Sequence, residues 1–164
     1  MLMILTKQMI TYFRTQTSYM NLDLQLQEFK FKTPIYQRWS DMDEAGHVNN
    51  AVYLTYLEEA RVRYFHEATK WNWQEDGIIL ANVNMNYVRP LLYNEAAFIY
   101  ARVSKIGTKS FEMQYIITVE KADSKALVAH GSSVQVMFDY KNNCSTLVPT
   151  TVREKLSTFE QNSF

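Results

Sequence analysis

Asp41-Met42-Asp43-Glu44-Ala45-Gly46-His47-Val48-Asn49-Asn50 gathers two aspartates, an imidazole, a glycine and two carboxamides directly ahead of an amphipathic run. In that run Tyr53, Tyr56, Leu57, Ala60 and Tyr64 fall on one side of a 3.6-residue period, while Thr55, Glu59, Arg63, His66 and Lys70 fall opposite. The spacing predicts a helix ending near Lys70, entered through a polar loop. At a helix start the backbone N–H groups are unpaired and the dipole favours negative charge, so an anion or a polarised carbonyl can be held there. A carboxylate beside such a start suits acyl transfer.

Working outward, Phe29, Phe31 and Ile35 alternate before the loop, with Pro34 suited to a strand edge or end, and predict a first strand over 29–37. Beyond the helix, Trp71-Asn72-Trp73 and Asp76-Gly77 mark a loop. From Ile79 to Tyr87 the odd positions are apolar or aromatic and Asn82, Asn84 and Asn86 take the other face, a half-buried strand. Segments 95–104, 110–120 and 126–139 alternate too, separated by turns at Ile106-Gly107-Thr108 and Ala122-Asp123-Ser124. Pro149 precedes a helical tail with Thr150 as its N-cap and Arg153, Glu154 and Lys155 towards solvent. About five antiparallel strands have one face to bury, and one long helix is available to lie across it. The fold class is α+β. Residues 1–28 read as an N-terminal extension, flexible for want of periodicity, with the domain over 29–164.

The 164 residues are 47% hydrophobic and 14% aromatic, enough for one domain with a substantial core. Seventeen basic and seventeen acidic residues balance, so no global field draws the chain to nucleic acid or an anionic membrane. The apolar opening MLMIL is interrupted by Thr6, Lys7 and Gln8 before a membrane span or secretory core is complete. One cysteine, Cys144, excludes an intramolecular disulfide, and with three scattered histidines it offers no zinc spacing. A reducing cytoplasm fits.

The 41–50 motif, with Tyr53 and Glu58-Glu59-Ala60-Arg61 on the helix and Tyr87-Val88-Arg89-Pro90-Leu91 after it, resembles the hotdog-fold acyl-CoA thioesterases of the 4-hydroxybenzoyl-CoA thioesterase-like group, over about residues 29–156. The resemblance implies a sheet wrapped around one helix and a homodimer, or a homotetramer, with sites at the subunit interface. It further implies hydrolysis of acyl-CoA to acid and CoA without metal or cofactor. Acyl-ACP is the alternative substrate, and a non-hydrolytic acyl-CoA-binding protein the alternative class.

Asp43 matches the family's catalytic aspartate, as nucleophile or as the base that activates water; its bland alternative is a turn cap. Asp41, two residues away, reads as structural or orienting. His47 is a candidate for proton transfer or for orienting the carboxylate. Asn50 matches the position whose backbone N–H meets the thioester oxygen, and Asn49 is the better helix cap. Gly46 suits an unusual backbone conformation or close substrate approach. Val48, Asn49, Tyr53 and Arg89 join the expected substrate-binding set, Arg89 as a phosphate donor. Glu58 and Arg61, three apart on the helix, read as an ion pair, with Glu58 and Glu59 as reserve carboxylates.

Overall fold

The computed structural model describes residues 22–73 and 77–164. The residues 1–21 of the expected extension lie outside the described residues, as does Asp76 of the expected loop. The chain runs α1 (Leu22–Leu26), β1 (Phe31–Pro34), a 3-10 turn (Trp39–Asp41), α2 (Val52–Thr69), β2 (Gly77–Tyr87), β3 (Ala97–Ile106), β4 (Ser110–Lys121), β5 (Ser124–Asp139), β6 (Cys144–Ser145) and α3 (Thr150–Glu160). All pairings are antiparallel, in the order β1-β3-β4-β5-β2, with the two-residue β6 appended to β5. The curled sheet lays one face against α2, as the hotdog architecture requires.

The apolar side of α2 packs as its spacing dictates: Tyr53, Tyr56, Leu57, Ala60, Tyr64 and Phe65 are all buried. They meet Phe31, Ile99, Val103, Phe111, Met113 and Ile117 from the sheet, a core fused by edge-to-face contacts such as Phe31–Tyr64 at 5.6 Å. The helix stops at Lys70, which turns left-handed (φ 58°) and returns its N–H to His66 and Phe65 carbonyls. Lys155 of α3 adds Nζ to the Thr69 carbonyl at 2.9 Å.

Tail helix α3 closes the far end, but not as its sequence suggests. Pro149 occupies the cap position and Thr150 is the first helical residue, with no side-chain cap bond. The Pro149 carbonyl accepts the Val152 and Arg153 N–H groups, both at 3.0 Å, so main chain rather than a hydroxyl closes the first turn. Arg153 is half-buried rather than solvent-facing, donating to the carbonyls of Ile106 (3.3 Å) and Gly107 (2.7 Å) in the β3–β4 turn. Because β1 pairs with β3 only back to Ala101, the Val103 N–H beyond its end has no strand partner; Glu160 accepts it at 2.9 Å and also takes the Tyr64 hydroxyl. Burial holds that carboxyl above its ordinary range, although both donors pull it down.

Strand β2 also departs from uniform alternation. Its register with β5 slips between Leu80 and Asn82, so Ala81 is an extra, bulged residue. Ile78 and Leu80 before it, and Val83, Met85 and Tyr87 after it, pair with β5 residues of the inner face; Ile79 therefore lies outward, against the odd-position reading. Asn82, Asn84 and Asn86 point away from α2. On that outer face α1 seats Leu26 over Tyr100 and Ile116, leaving an open recess of about 490 Å³ lined by Phe29, Asn84, Asn86, Arg102 and His130. Among the described residues no helix is long and apolar enough to cross a membrane.

Candidate active site

The 41–50 loop is built around a buried carboxylate. Asp41, 2% exposed, accepts the Arg38 backbone N–H (2.8 Å), the Arg38 Nε (3.1 Å) and the Tyr56 hydroxyl (2.6 Å). Burial alone would raise its pKa; the Tyr56 hydrogen bond and the Arg38 donors outweigh it and hold the group below its ordinary range. The Asp41 carbonyl accepts the Asn49 N–H at 2.9 Å, so one residue ties down both ends of the loop.

Between those ends the backbone makes a miniature hairpin. Met42 bridges Val48, the Asp43 N–H reaches the His47 carbonyl (2.9 Å), and the Gly46 N–H returns to the Asp43 carbonyl (3.0 Å). Gly46 has φ +80° with nothing within 4 Å of a notional Cβ, so the glycine is needed for conformation and no protein group approaches it closely. The loop is then stitched to the β2–β3 connection through His47↔Leu92 and a Val48 N–H to Leu91 carbonyl bond of 2.9 Å.

This frame leaves the Asp43 carboxylate partly exposed, with 29% of its side chain open. Oδ1 accepts the Ala45 N–H at 2.8 Å, the turn-capping bond, while Oδ2 lies 3.2 Å from His47 Nδ1. Capping and chemistry are thus compatible: the turn bond fixes one oxygen, the histidine faces the other, and lone pairs remain towards solvent. At the loop's other end α2 proper starts at Val52 behind an Asn49–Ala51 turn, in which Asn49 Oδ1 accepts the Ala51 N–H at 2.9 Å. Asn49 therefore does the capping work, although Ala51 stands at the formal cap position. The Asn50 carbonyl is clamped by the Tyr87 hydroxyl at 3.0 Å, and its N–H has no acceptor among the described residues. A fixed peptide with a free donor at a helix start is what a developing oxyanion requires.

Other expected site residues go elsewhere. Val48 and Tyr53 are 3% and 2% exposed and pack in the core behind the loop and the start of α2. Burial pushes the Tyr53 hydroxyl up to about 12. Arg89 commits its fork to Glu95, with Nη1–Oε2 3.0 Å and Nη2–Oε1 3.1 Å, and adds a bond to the Pro90 carbonyl, so its first role is to clasp the β2–β3 connection. Glu58 and Arg61 form no ion pair among the described residues: Arg61 turns inward beside the Tyr115 hydroxyl while Glu58 stays exposed. Glu59 sits on the opposite flank, with Arg63 and Pro34. The sequence marks Tyr56 only as a core position and Tyr87 only as part of the motif, and it gives Glu95 no role. Tyr56 reads as one more core aromatic, and nothing in Tyr87-Val88-Arg89-Pro90 announces a hydroxyl reaching the helix start. Among the described residues no group of three His, Cys, Asp or Glu side chains is placed to hold a metal ion.

Comparison with known proteins gives the family and agrees with the fold. Residues 37–156 match the model of the thioesterase-like superfamily. The chain is 30% identical over 128 residues to the long-chain acyl-CoA thioesterase FadM of Escherichia coli, covering 76% of this chain and 96% of the relative. A Thermus thermophilus thioesterase solved in complex with coenzyme A and zinc superimposes with TM-score 0.73 at 28% identity, over 84% of this chain and 98% of its own. A 4-hydroxybenzoyl-CoA thioesterase variant bound to 4-hydroxybenzoyl-CoA shares the fold, with TM-score 0.72 at 19% identity over 77% of this chain and 98% of its own. With most of its length matched, and with the motif loop and the helix-wrapping sheet both in place, this chain is a member of the thioesterase-like superfamily and has the hotdog fold.

Proposed function

We propose that this protein is a cytoplasmic acyl-CoA thioesterase that hydrolyses acyl-CoA to a free acid and CoA, using Asp43 and requiring no metal. The observation that carries the reading is the pairing, within one rigid loop, of a half-open carboxylate at Asp43 with an Asn50 N–H, at the start of α2, that no described residue accepts. In the base route, a water attacks the thioester carbonyl carbon as Asp43 takes its proton. The carbonyl oxygen gathers negative charge against the Asn50 N–H. The C–S bond then breaks and the departing thiolate receives the proton from Asp43. In the nucleophile route, an Asp43 oxygen attacks instead, CoA thiolate leaves, and water hydrolyses the resulting anhydride. His47 orients the carboxylate in either case. The long-chain acyl-CoA thioesterase activity of FadM and the coenzyme A bound by the Thermus thermophilus thioesterase support a CoA thioester as substrate. The exposed edge of β2 and the inner face beside it support a homodimer as the working unit. Release of free thiol from a panel of short, long and aromatic acyl-CoAs tests the reading; binding of several without thiol release from any would overturn it in favour of a binding protein.

A further inference from the structure

The second feature of the site is an aromatic surface beside the reactive loop that packing does not account for. Trp39 is 73% exposed, although it sits on the rigid 3-10 turn locked by Asp41. Tyr93 meets it edge-to-face at 5.3 Å, and Leu92, 48% exposed, bridges directly to His47. Both halves of this surface are held firmly. Asp41 fixes the Trp39 side through Arg38, and Glu95 fixes the Tyr93 side by accepting the Leu92 N–H at 3.0 Å while clasped by Arg89. An indole presented to solvent on a rigid support, four residues before the Asp43 carboxylate in the chain, is a binding surface rather than a core residue out of place. Arg38 adds charge. Among the described residues only its Nε is engaged, by Asp41, and with 64% of the side chain exposed its two terminal nitrogens are open to an anion.

We infer that Trp39, supported by Tyr93 and flanked by Arg38, is the platform on which the adenine of the CoA nucleotide stacks, with the guanidinium towards its phosphates. This rests on the acyl-CoA reading above and deepens it: the platform recognises the non-reacting end of the substrate, and so selects CoA over a carrier that lacks a nucleotide. Planar bases stack on indole whatever their identity, and an adjacent cation meets the phosphate charge. Tyr93 is a positioning residue here, since it holds the indole by its edge.

The test compares hydrolysis of one acyl group on CoA and on pantetheine, which lacks the nucleotide, by the wild type and by Trp39→Ala and Trp39→Phe. The wild-type preference for the CoA thioester, as a ratio of kcat/KM values, should fall about tenfold or more in Trp39→Ala and only part of the way in Trp39→Phe. Adenosine 3′,5′-bisphosphate, titrated calorimetrically into the full chain, should bind the wild type and lose affinity by a similar factor in Trp39→Ala, with a smaller loss in Tyr93→Ala. An unchanged ratio overturns the inference, as does equal bisphosphate binding. So does a change of oligomeric mass in Trp39→Ala, which would assign the surface to a second copy. The calorimetric arm decides even if the wild type hydrolyses neither thioester, an outcome that would sink the thioesterase reading separately.

Discussion

Two aspartates two residues apart carry opposite burdens. Asp41 is buried under three donors and builds the loop, whereas Asp43 keeps an oxygen facing His47 and solvent. Asp43→Asn should therefore preserve the fold, because an amide oxygen can still accept the Ala45 N–H, yet lower turnover by about 10²–10⁴-fold through loss of basicity and nucleophilicity. Thiol-release kinetics with thermal melting and ligand binding checks it; near-wild-type turnover on every substrate would remove Asp43 from the mechanism. Tyr56→Phe acts on the other aspartate. Deleting its hydroxyl strips a buried carboxylate of one donor and should cost about 1–3 kcal/mol in chemical denaturation at neutral pH. The sign with pH follows from the depressed Asp41 pKa: its stabilisation is complete above the ordinary 3.8 and is lost as pH falls through the lower folded value. The variant's deficit should thus shrink towards acid, and a deficit constant down to that range would contradict the assignment. The division of labour is not legible in Asp-x-Asp alone. The family resemblance pointed to Asp43, but Asp41 as the frame depends on Tyr56, fifteen residues away, which no local pattern joins to it.

Elements were readable wherever one face alone is buried, and misread where backbone geometry changes the count. In β4 the odd positions Phe111, Met113, Tyr115, Ile117 and Val119 are buried as alternation predicts, whereas β3 slips register at Ser104 and β5 at Val128, each by one extra residue. In β2 the bulge at Ala81 exchanges the faces halfway along, and a bulge leaves no mark in an otherwise apolar-alternating segment. Gly131 shows how closely β5 and β2 then approach. A Cβ there would lie 2.2 Å from the Asn84 carbonyl oxygen and 2.5 Å from the Met85 sulfur. Gly131→Ala should push β2 off its register and destabilise the protein by about 1–3 kcal/mol, read as a lower midpoint in urea. An unchanged midpoint would mean that β2 shifts freely. Short α1 illustrates a different limit: five residues give no period to detect, and Leu26 gains its place only by covering Tyr100 and Ile116 from distant strands.

At the scale of the whole molecule the sheet is asymmetric. Helix α2 packs chiefly over β1 and β3, while the inner face towards β2 presents Leu80 at 43% and Tyr87 at 40% exposure. Strand β2 itself, eleven residues long, pairs among the described residues on one side only. A long, unpaired, partly apolar edge invites association, and the self-complementary solution is a two-fold axis that sets two β2 strands antiparallel. Such pairing would wall the open side of the inner face next to Tyr87, which grips the Asn50 carbonyl, so the second copy completes the neighbourhood of the reacting atoms. The expected solution species at assay concentration therefore has at least twice the 19.3 kDa chain mass by multi-angle light scattering. Leu80→Lys, which places a charge on the exposed inner edge, should shift that mass towards the single chain, and turnover per chain should fall in parallel as the protein is diluted. A wild-type protein that is strictly monomeric and fully active, or a monomeric Leu80→Lys with undiminished turnover, would show that one chain suffices for the chemistry.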